Sequence, residues 1–152
     1  MDHHLNRRTF LHQGGTLAAA AALAPTLSAF AGPPRKMRVA MVGTGTRGIN
    51  MWGRALVEEY PESVEFVGLC DTNPGRLEYG RSYMGVNCPT FTDFDQMMRR
   101  VKPDALIVTT VDATHHTFIV KGLEMGADII TEKPMTTDEA KCRQILDAER
   151  RT

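Results

Sequence analysis

Met37-Arg38-Val39-Ala40-Met41-Val42-Gly43-Thr44-Gly45-Thr46-Arg47-Gly48 sets the architecture of this chain. A short apolar, partly β-branched run reads as a buried strand. It passes directly into G-x-G-x-x-G. Beyond the last glycine, Ile49, Trp52, Leu56 and Tyr60 recur at helical spacing until Pro61 stops the helix. A strand, a glycine turn and a helix in immediate succession form a phosphate-binding unit. The first glycine allows the tight turn, the second lets a pyrophosphate approach the backbone, and the third permits close helix–strand packing. Gly43, Gly45, Thr46, Arg47 and Gly48 are therefore candidate cofactor-binding residues, because backbone N–H groups and the helix dipole hold phosphate there.

Downstream, strand and helix alternate. Val64–Cys70 reads as a second strand ending at Asp71, and Asn73-Pro74 caps and starts a helix with Leu77 and Met84 on one side. A weak strand near Pro89-Thr90-Phe91 precedes Phe94, Met97, Met98 and Val101 at i, i+3, i+4 and i+7. Ala105-Leu106-Ile107-Val108 is the strongest strand, and a helix from about Thr114 to Met125 ends at Gly126. Asp128 to Thr131 forms a fifth strand. The last helix is expected to open with a Thr136-x-x-Glu139 capping box and to turn Cys142, Ile145 and Leu146 inward. This alternation predicts an α/β fold with a doubly wound parallel sheet in the strand order 3-2-1-4-5, over residues 37–152. A fifth helix with no strand after it suggests the front part of a longer polypeptide.

Residues 1–31 read as an export signal, with 32–36 as a linker. Arg7-Arg8 precedes Thr9-Phe10-Leu11, and no charged residue occurs from Thr9 to Pro34. The apolar run Leu17–Ala24 is followed by Pro25 and by the small-x-small site Ala29-Phe30-Ala31. The paired arginines resemble a twin-arginine signal, although Asn6 and His12 stand where such signals more often carry Ser or Thr and Lys. The expectation is a periplasmic or exported protein, cleaved near Ala31 and with no membrane anchor afterwards. Alanine is too weakly apolar, and Pro25 too disruptive, for a span of about 20 residues.

Eighteen Lys and Arg balance eighteen Asp and Glu among 152 residues, which argues against nucleic acid as a partner. Cys70, Cys88 and Cys142 lie far apart, which argues against a zinc site or a disulfide framework.

Asp71 lies 23 residues after Gly48, at the end of the second strand. A carboxylate there accepts hydrogen bonds from both hydroxyls of an adenosine ribose and repels a 2′-phosphate, so NAD is favoured over NADP. Arg76 or Arg47 would soften that preference by reaching a 2′-phosphate. With adenosine over the second strand, nicotinamide extends toward the fourth and fifth, where Glu132-Lys133-Pro134 ends the fifth strand. Lys133 thus arrives at the reactive end. Partial desolvation and a cationic nicotinamide would both pull its pKa down, toward what a general acid/base needs. Pro134 ends the strand and fixes how the lysine is presented.

The order G-T-G-T-R-G, then C-D-T-N-P, then T-E-K-P-M resembles the Gfo/Idh/MocA family of glucose–fructose oxidoreductases, inositol dehydrogenases and their relatives, from about Met37 to the C-terminus. That resemblance implies a nicotinamide-dependent enzyme acting on sugars, inositols or related polyols. It implies that Lys133 binds substrate and assists proton transfer, with a Lys-Pro bond that is often cis, and that Glu132 belongs to the cofactor site. Thr110-Val111-Asp112-Ala113-Thr114-His115 resembles the family's T-P-x-x-x-H stretch, with Val111 in place of proline. Thr109 and Thr110 are then expected to line the nicotinamide ribose. His115 is either a cofactor-site residue or a packed histidine at a helix start, and His116 matches no motif. The resemblance also implies a second, substrate-binding sheet domain that mediates homo-oligomerisation and carries further catalytic groups. This chain alone would then be inactive. Two alternatives stand beside hydride transfer: a stand-alone nucleotide-binding module, and the family's NAD-dependent glycoside hydrolases.

Overall fold

The computed structural model describes residues 35–152; the expected export signal lies outside the described residues. Five strands, β1 (Met37–Val42), β2 (Val64–Cys70), β3 (Thr90–Phe91), β4 (Ala105–Val108) and β5 (Asp128–Thr131), form one sheet in the order β3-β2-β1-β4-β5. All four pairings are parallel, as the alternation predicts. Five α-helices alternate with them: α1 (Ala55–Glu59), α2 (Pro74–Met84), α3 (Phe94–Val101), α4 (His115–Glu124) and α5 (Glu139–Arg151).

The period of two along each central strand sorts the core into two layers. Val39 and Met41 of β1, with Ala105 and Ile107 of β4, pack against Ile49, Leu77 and Met84. Ala40 and Val42, with Leu106 and Val108, face Phe94, Met97, Met98, Val101, Ile119 and Ile145. β4 is buried along its whole length, which is why its sequence shows no polar alternation. Arg38 ties the start of β1 to the end of α3: its guanidinium donates to the carbonyls of Val101 and Lys102 at 2.6 and 2.7 Å. Those carbonyls are among the last of a helix, which have no partner within it.

Two local expectations change. The helix after the glycine loop begins as a π-wound segment, Gly48–Arg54, before it tightens into α1, and Tyr60 is exposed rather than inward. The last helix starts at Glu139, not at a Thr136 cap. Asp138 is its N-cap and accepts from the Lys141 amide at 3.0 Å, while the Thr136 hydroxyl is buried with no hydrogen-bond partner. Aspartate is the stronger capping acceptor, and it wins. With that start, Ile145 and Ala148 face the core and Leu146 points to solvent. The helix expected from about Thr114 to Met125 is found as α4, entered through a 3-10 turn, Asp112–Thr114. Gly126, at φ +82°, comes after that helix as expected.

Cys70 and Cys88 are buried, and burial pushes both thiols up to about 11; Cys142 is half-buried, and all three are free. Among the described residues no helix is long and apolar enough to cross a membrane.

The tightest constraint lies where β1 ends. A Cβ on Gly43 (φ +91°) would sit 2.6 Å from the Thr109 carbonyl carbon, and one on Gly48 would sit 2.5 Å from Thr109 Oγ1 and 2.7 Å from the Gly43 oxygen. At Gly45 a Cβ would meet nothing within 4 Å. Gly48→Ala should therefore lose about 1–3 kcal/mol by overpacking, whereas Gly45→Ala should stay within about 0.5 kcal/mol of the parent. Urea unfolding of the two variants checks this, and equal losses would contradict the packing account.

Candidate dinucleotide site

Reversal of the strand order between β1 and β4 opens a crevice at the carboxyl ends of the strands, the place where open α/β sheets bind ligands. Two clefts occupy it. One, of about 580 Å³, is lined by Gly43, Gly45, Asp71 and Arg76 on the β1–β2 side; the other, of about 660 Å³, by Arg47, His115, Glu132 and Lys133 on the β4–β5 side. Thr109, Thr110 and Val111 line both, so the clefts meet at the end of β4. Thr46 is exposed on the turn and lines neither.

The glycine loop fits a dinucleotide. Gly43 and Gly48 spend their missing side chains on contact with Thr109, while Gly45 leaves open space above its backbone, where a pyrophosphate needs it. Thr109 secures the arrangement. Its amide donates to the Val42 carbonyl at 2.9 Å and its hydroxyl to the Gly43 carbonyl at 2.6 Å. Thr110 meets the Thr114 hydroxyl at 2.9 Å, which fixes the loop after β4.

Asp71 is buried, and its carboxylate is largely committed. Oδ2 accepts from the Thr44 amide at 2.9 Å and the Thr44 hydroxyl at 3.2 Å, and Oδ1 accepts from the Asn73 amide at 2.9 Å. A carboxylate offers about four acceptor sites, so one remains open. Accepting both ribose hydroxyls requires the Thr44 hydroxyl to give way. Asp71 is thus a lock on the glycine loop as well as a group facing the cleft. Thr44, an unassigned position inside the glycine motif, is the residue that the sequence did not single out.

Two arginines part company. Arg76 is exposed and lines the first cleft together with Asp71. Arg47 is turned the other way. Its Nε lies 3.1 Å from Glu132 Oε2 in the second cleft, so it does not stand beside Asp71. Glu132 also accepts from the Trp52 indole N–H at 2.9 Å. Trp52, expected only as a face of its helix, therefore reaches the end of β5.

Lys133 comes just after β5 and its bond to Pro134 is cis, as the family resemblance implies. Its side chain lines the second cleft but is exposed, so the partial desolvation expected of a strand-end lysine is not found among the described residues. The reason is local: the lysine lies beyond the last sheet residue, Thr131, at the edge strand. His115 is packed at the start of α4 and also lines the second cleft. It is fully buried, with Nδ1 2.8 Å from the Pro134 carbonyl and Nε2 3.0 Å from the Thr110 carbonyl, so both ring nitrogens are engaged by backbone. Among the described residues no group of His, Cys, Asp and Glu is placed to hold a metal ion.

The chain matches, over residues 37–152, the Gfo/Idh/MocA profile described as "Oxidoreductase family, NAD-binding Rossmann fold", and it belongs to that family. It is 36% identical over 115 residues to YteT of Bacillus subtilis (strain 168), covering 73% of this chain and 27% of YteT. Glycosyl hydrolase family 109 protein 1 of Akkermansia muciniphila is 33% identical over 125 residues, covering 77% of this chain and 25% of that protein. Among solved structures, the WlbA dehydrogenase from Bordetella pertussis in complex with NADH and UDP-GlcNAcA superposes with a TM-score of 0.70 at 25% identity, over 77% of this chain and 35% of that one. The chain thus spans about a quarter of the two curated relatives and is the NAD-binding Rossmann part of this family.

Glu132 carries a testable charge. The Trp52 hydrogen bond, and then Arg47, hold its carboxyl below the usual glutamate range against the opposing effect of burial. A depressed pKa means that the carboxylate's contribution is intact above the ordinary value and is lost as pH falls through the lower folded one. Trp52 is the only tryptophan. Its emission should therefore shift at a pH below about 4.3, the unperturbed glutamate value. That step should precede loss of far-UV circular dichroism and be absent from Glu132→Gln. A step at or above that value would contradict the geometry.

Proposed function

We propose that this chain is the cofactor-binding part of an exported NAD-dependent oxidoreductase acting on a sugar- or polyol-like substrate, with Lys133 as its acid/base. The observation that carries the reading is the meeting of the two clefts at Thr109–Val111, with Asp71 in one and Lys133 in the other. A dinucleotide laid across Gly45 has its adenosine on the Asp71 side and its nicotinamide end on the Lys133 side. When bound, nicotinamide supplies a two-electron hydride acceptor or donor.

The remaining work falls to the chain. Lys133 Nζ, as the neutral amine, would take the hydroxyl proton of a carbinol being oxidised, and, as the ammonium, would give that proton to the oxygen of a carbonyl being reduced. Thr109 and Thr110 border the ribose of the reacting half. Asp71 disfavours a 2′-phosphate by charge, with Arg76 as the nearby counterweight, which supports NAD over NADP. The substrate class is supported by the relatives: WlbA was solved with a nucleotide sugar, and the Akkermansia protein is named as a glycosyl hydrolase. A substrate-binding partner domain and homo-oligomerisation of the full-length protein belong to the same proposal.

In the full-length enzyme, Lys133→Met should leave NAD affinity unchanged, keep the preference for NAD over NADP, and lower kcat by about 100-fold or more, the scale of a lost acid/base. Unchanged turnover would remove Lys133 from the chemistry. The similarity to the Akkermansia hydrolase favours one second reading, glycoside cleavage with no net change in the cofactor. Product analysis separates the two, since net NADH accumulation supports the dehydrogenase and cleavage without it supports the hydrolase.

For export, the paired arginines and the Ala29-Phe30-Ala31 site support removal of residues 1–31. Intact mass of the protein recovered from the periplasm should correspond to a chain beginning at Gly32. A periplasmic protein that retains Met1–Ala31, or one found only inside the cell, would contradict it.

A further inference from the structure

Lys133 stands between two residues that are each pinned to a different wall of the second cleft. On one flank, Glu132 is only 12% exposed and collects the Trp52 indole N–H at 2.9 Å, Arg47 Nε at 3.1 Å and the Lys133 amide at 3.3 Å. On the other, the Pro134 carbonyl meets the buried ring of His115 at 2.8 Å. Arg47 belongs to the glycine turn itself, one residue before Gly48, and its side chain is 55% exposed, so solvent and an incoming anion can reach it. Trp52 lies one turn further along the same π-wound segment. The Glu132 carboxylate is therefore the point at which the phosphate loop touches the backbone of the acid/base.

We infer that Glu132 is a positioning residue that couples pyrophosphate occupancy of the glycine loop to the placement of Lys133. The inference rests on the proposed function for the seat of the pyrophosphate and for the role of Lys133. Its physical basis is competition for one cation. Arg47 is shared between the Glu132 carboxylate and any anion that docks on the neighbouring loop N–H groups. When the anion draws on Arg47, Glu132 keeps the indole and redistributes its Oε2 toward the Lys133 amide, so the turn carrying the lysine shifts. His115 holds the far side of that turn against the loop after β4, which confines the movement to the Lys133 side.

ADP is the discriminating probe, because it carries the adenosine and pyrophosphate but has no nicotinamide to touch Lys133. Proton–nitrogen NMR of the 152-residue chain tracks three signals: the Gly45 amide for occupancy, the single indole for Trp52, and the Lys133 amide. In the parent all three should move with one saturation curve. In Glu132→Gln the Gly45 response should persist and the Lys133 response should be lost, while the indole keeps an oxygen acceptor in the glutamine. Arg47→Met, saturated with more ADP if necessary, should lose the Lys133 response from the other end of the contact.

A Lys133 amide that moves equally in the parent and both variants would overturn the coupling. So would one that stays still in the parent while Gly45 responds. Absence of any Gly45 response to ADP would instead overturn the reading of the loop as a pyrophosphate seat, and the coupling with it.

Discussion

The structure depends on one close approach: the backbone of Gly43 and Gly48 against Thr109. β1 and β4 are neighbours in the sheet, and the chain leaves β1 directly over the end of β4. Side chains at either glycine would occupy the space that Thr109 fills, so the loop would be lifted away from the strand ends. Because the approach is close, Thr109 can hydrogen-bond to the carbonyls of both Val42 and Gly43, and the loop is held from below. Only then does Gly45 face open space with its backbone presented to a phosphate. Asp71 completes the hold from the side through the Thr44 amide. The crevice is thus a consequence of packing beneath it, and its two halves share the threonines that make the packing possible.

Charge is distributed unequally over those halves. The Asp71 side has a buried, hydrogen-bonded carboxylate and an exposed arginine at its rim. The opposite side pairs Arg47 with Glu132 and leaves Lys133 exposed beyond the end of β5. The chain spans about a quarter of the length of YteT and of the Akkermansia protein.

The sheet was legible because its signals are local and redundant. An unbroken apolar run such as Ala105–Val108 needs burial on both faces, and the glycine spacing fixes the turn at the end of β1. Position along the chain also placed Asp71 and Lys133 at their respective strand ends. Side-chain direction was harder to read. Whether Arg47 served the 2′-phosphate side or the Glu132 side depended on a partner 85 residues away in the chain, which local spacing does not encode. The number of acceptor sites left on Asp71 depended on Thr44, whose hydroxyl looks like filler between glycines. At the last helix two capping residues competed, and a one-turn pattern that fitted Thr136 and Glu139 lost to Asp138. His115 shows the same limit. Its place in the motif was visible, but only the fold showed both nitrogens spent on carbonyls.

The most direct test of the account is a crystal structure of this chain with NAD bound. The account predicts a pyrophosphate over Gly45, adenosine ribose beside Asp71, and the nicotinamide ring in the cleft bounded by Thr110, Glu132 and Lys133. A dinucleotide bound in the reverse sense, with nicotinamide over β2, would contradict it, as would one seated away from the glycine loop.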